Sequence, residues 1–254
     1  MGFSAEWLAL REPADHAARS AGLLQAAAKA AGAAPVIVDL GCGTGSTRRA
    51  FGDLVPGAVW RMVDGDADLL ARAGGEGHCR DLNQLDGLPF DGASLVTASA
   101  LIDLVSAHWL DRLVARLAAL QLPFYAVLSY DGEMDWTPAF PADAGVTAAF
   151  NLHQRGDKGF GPALGPEAVS HAAKRLRAAG YSVTEAASPW VLGPQEAALQ
   201  RALLPGIAQA AAEMGAGEAE VWCAARIAEL PGGVCRIGHR DLLAVPAGGR
   251  GKGR

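Results

Sequence analysis

The stretch Val36-Ile-Val-Asp-Leu-Gly-Cys-Gly-Thr-Gly45 constrains this chain more than any other part of it. Val36, Ile37, Val38 and Leu40 form a short apolar run with β-branched residues, the pattern of a strand buried on both faces of a parallel sheet. Gly41, Gly43 and Gly45 follow, where the absence of a Cβ allows positive φ and close approach of a ligand to the backbone. Ser46-Thr-Arg-Arg-Ala-Phe51 then opens a helix, whose first amide N–H groups point at whatever sits over the turn. Strand, glycine turn and helix in that order predict an open α/β sheet with a nucleotide cofactor above the turn.

The next strand, Ala58 to Val63, ends at Asp64, about twenty residues past the glycine loop. A carboxylate there is placed to accept hydrogen bonds from both ribose hydroxyls of a nucleoside. Asp66 and Asp68 read instead as the start of the following helix, where they complement its dipole. Dinucleotide enzymes place an acid in the same way, so these residues alone leave an NAD site and a purely structural turn open.

The glycine spacing is G-x-G-x-G, whereas a dinucleotide site reads G-x-G-x-x-G. With Asp39 ending the strand, Val-Asp-Leu-Gly-Cys-Gly-Thr-Gly closely resembles motif I of the class I S-adenosylmethionine-dependent methyltransferases. The block Leu88-Pro-Phe-Asp-Gly-Ala-Ser-Leu-Val-Thr-Ala-Ser-Ala-Leu-Ile-Asp-Leu-Val105 resembles the strand-four region of that family. The resemblance is strong from Val36 to Asp103 and weak beyond Asp131. It implies a Rossmann-like three-layer αβα sandwich around a seven-stranded, mostly parallel sheet whose last strand is antiparallel, with an N-terminal helix and an inserted substrate loop. It implies S-adenosyl-L-methionine as cofactor and S-adenosyl-L-homocysteine as product. The implied cofactor residues are Asp39, Gly41, Cys42, Gly43, Gly45, Asp64 and Gly65, with Asp81 reading the adenine amino group, Leu82 flanking the ring, and Ser99, Ala100 and Leu101 lining the site. Asp103 would face the methyl-transfer centre. An NAD-dependent oxidoreductase and a non-catalytic binding or scaffold protein of the same fold are the competing readings.

The 254 residues suffice for one large α/β domain, expected over 1–247, with 248–254 as a disordered tail. Lys and Arg number 22 and Asp and Glu 27, a net charge of −5, which offers no broad positive surface for nucleic acid. Cys42, Cys79, Cys223 and Cys235 are scattered without metal-ligand spacing, so they read as reduced, mostly core thiols of a cytoplasmic protein with no metal. No signal sequence and no charge-free run of bilayer length is present in the sequence, so no membrane partner is expected.

Glu6 to Ala31 reads as helix broken near Pro13; the resemblance implies that such a helix lies over the site mouth, which makes Trp7, Arg11 and His16 candidates there. Trp109 to Leu120 carries a helical apolar stripe. Phe124 to Tyr130 is a strand ended by Asp131-Gly132, and 133–166 reads as an irregular substrate-specificity segment. Beyond it come a helix from Pro166 to Ala179, a strand from Tyr181, helices from Glu196 to Leu230 broken at Pro205 and again at Gly215 to Gly217, and a last strand, Cys235 to Val245. In the resembled fold that last strand inserts antiparallel between strands five and six.

Methyl transfer from a sulfonium is an in-line displacement, so the protein positions two partners and removes a proton where the nucleophile carries one. His153 is the first candidate base, since its ordinary pKa lies near working pH; Asp103, Tyr130 and Asp131 lie nearby in the expected topology. Asn151, Arg155 and Lys158 are candidates to hold substrate. Ala144 to Asn151 also resembles a short piece of the histidine N-methyltransferases of ergothioneine synthesis, which implies that Asn151 contacts a small polar substrate. No N-P-P-Y motif follows strand four, which again favours a small molecule over a macromolecule. A monomer or a homodimer is compatible with all of this.

Overall fold

The computed structural model describes residues 3–248. The first strand, β1 (Val36–Leu40), forms from the apolar run and lies inside the sheet, paired on both sides. Around it pair β2 (Val59–Asp64), β3 (Glu76–Cys79), β4 (Leu95–Ser99) and β5 (Phe124–Thr137), all parallel. Then come β6 (Tyr181–Ala187), β7 (Trp190–Leu192) and β8 (Val234–Pro246). The order is β3-β2-β1-β4-β5-β8-β6, with β8 antiparallel to both its neighbours. This is the expected seven-strand path; the short β7, pairing with β8 beside β5's far end, makes eight.

Helices cover both faces, which is what strands apolar on both sides require. On one face α5 (Ala107–Leu120) buries Trp109, Leu110, Leu113, Val114 and Leu117, a stripe at helical spacing, against Val96, Phe124 and Leu176. Ser106 starts it, accepting from the Trp109 amide at 3.2 Å. On the other face α2 (Ala21–Ala31) packs Leu23 and Ala27 on Ile37, Trp60 and Tyr125. Fully burying a side chain such as Leu113 stabilises the fold by roughly 1.5–3 kcal/mol. A separate apolar cluster joins the far ends of β5 and β8 to β7, α6 (Asp143–Gln154), α8 (Ala197–Glu213) and α9 (Ala219–Glu229).

Three expectations are corrected. Helix α1 (Ala5–Ala18) runs through Pro13, and the break comes at Arg19, where Ser20 caps α2. Likewise α8 runs through Pro205 and ends before Gly215. Both prolines are exposed, so the carbonyl each leaves unbonded faces water, while the opposite faces stay packed. Third, β5 does not stop at Asp131-Gly132. It continues to Thr137 through two register shifts against β8, and bulges of this kind bend a strand without ending it. The segment 133–166 therefore holds the end of β5 and the twelve-residue α6, whose Val146, Ala149 and Phe150 face the α8 cluster; irregular backbone flanks α6 over 138–142 and 155–164. Of the expected tail, residues 249–254 lie outside the described residues.

Candidate functional site

A cavity of about 290 Å³ opens at the carboxyl ends of β1, β2 and β4, where open α/β sheets put their ligands. Its floor is the glycine turn. Gly41, Gly43 and Gly45 all have left-handed φ, at 63°, 52° and 84°. Gly43 lines the cavity, and a Cβ there would come within 2.9 Å of Leu8 Cδ1. Gly45 does not line it; a Cβ at 45 would run into the carbonyl oxygen of Ala73, at the end of α4 (Ala67–Ala73), so this glycine sets the packing that holds the turn.

Asp64, at the end of β2, is braced on both oxygens. Its Oδ2 accepts from the Gly43 amide at 2.9 Å and its Oδ1 from the Asp66 amide at 3.0 Å. Each carboxylate oxygen keeps a further lone pair, and the residue lines the cavity. Gly65 and Cys42 line it too, the Cys42 amide tied to the Val63 carbonyl at 3.1 Å. Asp81 and Leu82 form the opposite wall. Asp81 Oδ1 takes both the backbone and side-chain N–H of Asn83, leaving Oδ2, and Leu82 is fixed by the Trp109 Nε1 bond to its carbonyl at 2.8 Å. Ser99, Ala100 and Leu101 complete the lining at the end of β4.

Asp39 is different. It is 1% exposed and lies beneath the turn, outside the cavity lining. Its Oδ1 accepts from Thr97 Oγ1 at 2.7 Å, and its Oδ2 has no partner among the described residues. Burial pushes its carboxyl up to about 7, against the pull of the Thr97 hydrogen bond and of the Arg19 charge.

A second cavity, of about 170 Å³, shares Phe3, Arg11, Ala100 and Leu104 with the first. Ala100 marks their junction and has φ 49°, a strained value for a residue with a Cβ. The second cavity is walled by Trp7, Tyr130, Phe150 and Trp190. Asp103 also lines it: its Oδ1 is buried without a partner, and burial pushes the carboxyl up to about 6, opposed by its own amide and by the Arg11 charge. Tyr130 Oη donates to Asn151 Oδ1 at 2.8 Å, and burial raises the phenol further above its ordinary value.

The remaining expected site residues are placed elsewhere. Asp131, His153, Asn151, Arg155 and Lys158 line neither cavity. For His153 the helical conformation of α6 is the reason: it turns Phe150 and Gln154 inward and sends His153 outward to Glu213, 3.1 Å away. Lys158 lies 3.4 Å from His153 Nδ1, Arg155 3.6 Å from Glu167, and Asp131 Oδ1 accepts from the Glu133 amide at 3.1 Å. Asn151 braces Tyr130 and donates to the Gly132 carbonyl at 2.9 Å, a supporting position behind the cavity wall. From the rest of 133–166, Phe160 reaches the first cavity, stacked edge-on against Trp109. Trp7 and Arg11 do stand over the mouth, whereas His16 bonds Ser46 at 3.1 Å. Sequence reasoning missed Trp190 and His239; the available signal was that Ile237, His239 and Asp241 alternate along one strand face. Among the described residues, no group of three or more His, Cys, Asp or Glu is placed to hold a metal.

No protein-family model and no curated protein matches the chain. Solved structures do match it over most of its length. The YcgJ protein of Bacillus subtilis is 14% identical, with 90% of this chain and 98% of that one covered and a TM-score of 0.53. A cyclopropane-fatty-acyl-phospholipid synthase-like protein from Lactobacillus casei is also 14% identical, covering 96% and 95%, with a TM-score of 0.53. A cyclopropane synthase from Mycobacterium tuberculosis is 12% identical, covering 95% and 94%, with a TM-score of 0.51. At such identities the likeness is one of fold. Together with the strand order, it makes this the Rossmann-like fold of the class I S-adenosylmethionine-dependent methyltransferases.

Proposed function

We propose, with that fold as premise, that the larger cavity binds S-adenosyl-L-methionine and that its methyl group passes to a small molecule held in the smaller one. The observation that carries this reading is that a nucleoside-sized cavity with a braced acid adjoins a second, aromatic cavity and shares Ala100 with it. The chain's residues fit the cofactor. Asp64 keeps one lone pair on each oxygen for the two ribose hydroxyls, Asp81 Oδ2 is left for the adenine amino group, and the Gly43 surface leaves room that a Cβ would fill.

When bound, the cofactor supplies a methyl carbon made electrophilic by the sulfonium. Gly43, Asp64 and Asp81 would hold the cofactor, and an acceptor's lone pair would take the methyl while the carbon–sulfur pair returned to sulfur. Asp103, beside the junction, takes the acceptor's proton. A carboxylate held up to about 6 is deprotonated at neutral pH yet basic enough to share a proton. The free thiols at Cys42, Cys79, Cys223 and Cys235 support a reducing, cytoplasmic setting; among the described residues no helix is long and apolar enough to cross a membrane. The net charge supports a small molecule rather than nucleic acid as partner.

Calorimetric titration with S-adenosyl-L-methionine and S-adenosyl-L-homocysteine tests the reading, with NAD as control and Asp64→Ala as the negative. Saturable binding of the sulfur nucleosides, lost in the variant, is expected. Binding of NAD instead would overturn it.

A further inference from the structure

The second cavity is selective in the polar atoms it offers. Its size is close to that of a cavity of about 150 Å³ lined by apolar side chains, which takes a single benzene ring. Tyr130 and Phe150 meet edge-to-face at 5.6 Å, and the Trp190 ring lies 5.0 Å from that of His239, so a flat ring entering here meets aromatic faces and edges. The cavity's cation is already committed. Arg11 bonds Asp15 through Nε at 2.9 Å and Nη2 at 3.1 Å, and its guanidinium carbon sits 4.9 Å over the Trp190 ring. Asp15 also accepts from Trp190 Nε1 at 3.0 Å, which locks the arrangement.

Two buried groups are left with accepting atoms. Asp103 Oδ1 has no partner. His239, on β8, has Nδ1 3.1 Å from the Ile237 carbonyl, so its proton sits on Nδ1 and Nε2 carries a lone pair with no partner among the described residues. The charged and titratable groups facing His239 are Arg11 from α1, Tyr130 from β5 and Asp103 from the loop after β4. Burial and then the Arg11 charge hold the imidazole down to about 3, so it stays neutral over the working range. Gln154 adds only a neutral amide.

Resting on the function proposed above, we propose that the acceptor is a neutral, single-ring hydroxylated molecule of the phenol or catechol class, and that His239 Nε2 accepts from one hydroxyl while Asp103 takes the proton of the nucleophilic one. A carboxylate in the same place would face the Asp103 carboxylate and the His239 lone pair, and the cation lining the cavity, Arg11, already has its charge paired with Asp15. A zwitterionic amino acid would carry that penalty into an aromatic box.

The test is titration of the protein, with and without saturating S-adenosyl-L-homocysteine, with catechol, phenol, anisole, benzoate and L-histidine as probes. Catechol is expected to bind tightest and phenol next, anisole to lose roughly tenfold for want of a donor, and benzoate and L-histidine to stay undetected. His239→Leu should weaken catechol about tenfold with unchanged affinity for the nucleoside, and His239→Gln, which restores an acceptor, should recover it. Benzoate or L-histidine binding as tightly as catechol, no probe binding at all, or His239→Leu without effect would each overturn the inference. Catechol binding without any nucleoside binding would refute the cofactor assignment, and with it the acceptor role, while leaving the ligand class of the second cavity standing.

Discussion

Asp64 and Asp103 are both half-buried acids in the same site, and their surroundings give them opposite work. Two backbone N–H groups hold Asp64 in place as an acceptor, whereas Asp103 has a buried oxygen without a partner, and its own amide and the Arg11 charge only partly offset its burial. Asp64→Asn replaces one accepting oxygen with a donor facing the Gly43 amide or the ribose. Since a hydrogen bond to a charged group is worth about 1.5–3 kcal/mol, calorimetry should find cofactor affinity reduced on the order of 10- to 100-fold. Asp103 should appear in the pH profile. Protonated below about 6 it cannot accept a proton, so kcat/KM for a hydroxylated acceptor rises with pH through about 6 and then levels. Asp103→Asn should remove that limb and lower the plateau by roughly 10²- to 10⁴-fold; a variant that kept the limb would put the base elsewhere. Gly45→Ala tests the turn without touching the cavity. The left-handed φ and the Ala73 carbonyl oppose any Cβ, so denaturant midpoints should show destabilisation on the order of 1–3 kcal/mol.

At the scale of elements, the two halves of the site were not equally legible. The cofactor half is built from strand ends, each read together with its own turn: Gly41 to Gly45 after β1, Asp64-Gly65 after β2, Asp81-Leu82 after β3 and Ser99-Ala100 after β4. Local sequence carries that information because each turn's chemistry is contiguous. The second cavity, proposed for the acceptor, draws Trp7 from α1, Tyr130 from β5, Phe150 from α6, Trp190 from β7 and His239 from β8. No spacing rule connects positions so far apart, and period-two alternation around His239 cannot say which sheet face carries a cavity. His153 and Lys158 stood out in the sequence for their chemistry, but the helical phase of α6 turns His153 toward Glu213, and Lys158, in the loop beyond α6, follows it. Pro13 and Pro205 misled in the other direction, because a proline on the wet side of an amphipathic helix removes a bond that water replaces. The element that closes both cavities is α1, which Asp15 ties to β7 through Arg11 and Trp190. With both partners of this ion pair nearly buried, Asp15→Ala strands a guanidinium. It should cost roughly 3–5 kcal/mol, or less to the extent that Arg11 swings into water. Hydrogen exchange should then quicken in α1 before it does in β1 or β4; uniform loss of protection would mean that α1 is no separate closing element.

Across the whole molecule, three buried titratable groups give the stability a pH dependence that differs from ordinary acid denaturation. Asp39 and Asp103 have folded-state pKa values raised to about 7 and about 6, so between an unfolded value of about 4 and those limits the native state binds more protons than the unfolded one. Their contribution therefore falls as pH rises through that window, and above about 7 both carboxylates weigh against folding in full. His239 acts in the opposite sense. Its folded value is depressed to about 3, so from there up to about 6.5 the unfolded state binds the extra proton and stability rises with pH. Over pH 4 to 6.5 the terms oppose each other, and above pH 7 only the aspartates remain. Thermal melts across pH 4–8 separate them by difference from the parent protein. Asp39→Asn should gain on the parent as pH rises and be fully ahead above pH 7, with the gain gone by about pH 4; His239→Leu should gain on the parent as pH falls below 6 and show no pH-dependent difference above 7. The crossing of these two difference curves near pH 5–6 is the discriminating feature, because a variant that merely lost packing would be shifted by the same amount at every pH. Parallel, flat differences would mean that the carboxylate under the glycine turn and the imidazole in the wall of the second cavity are solvated in solution.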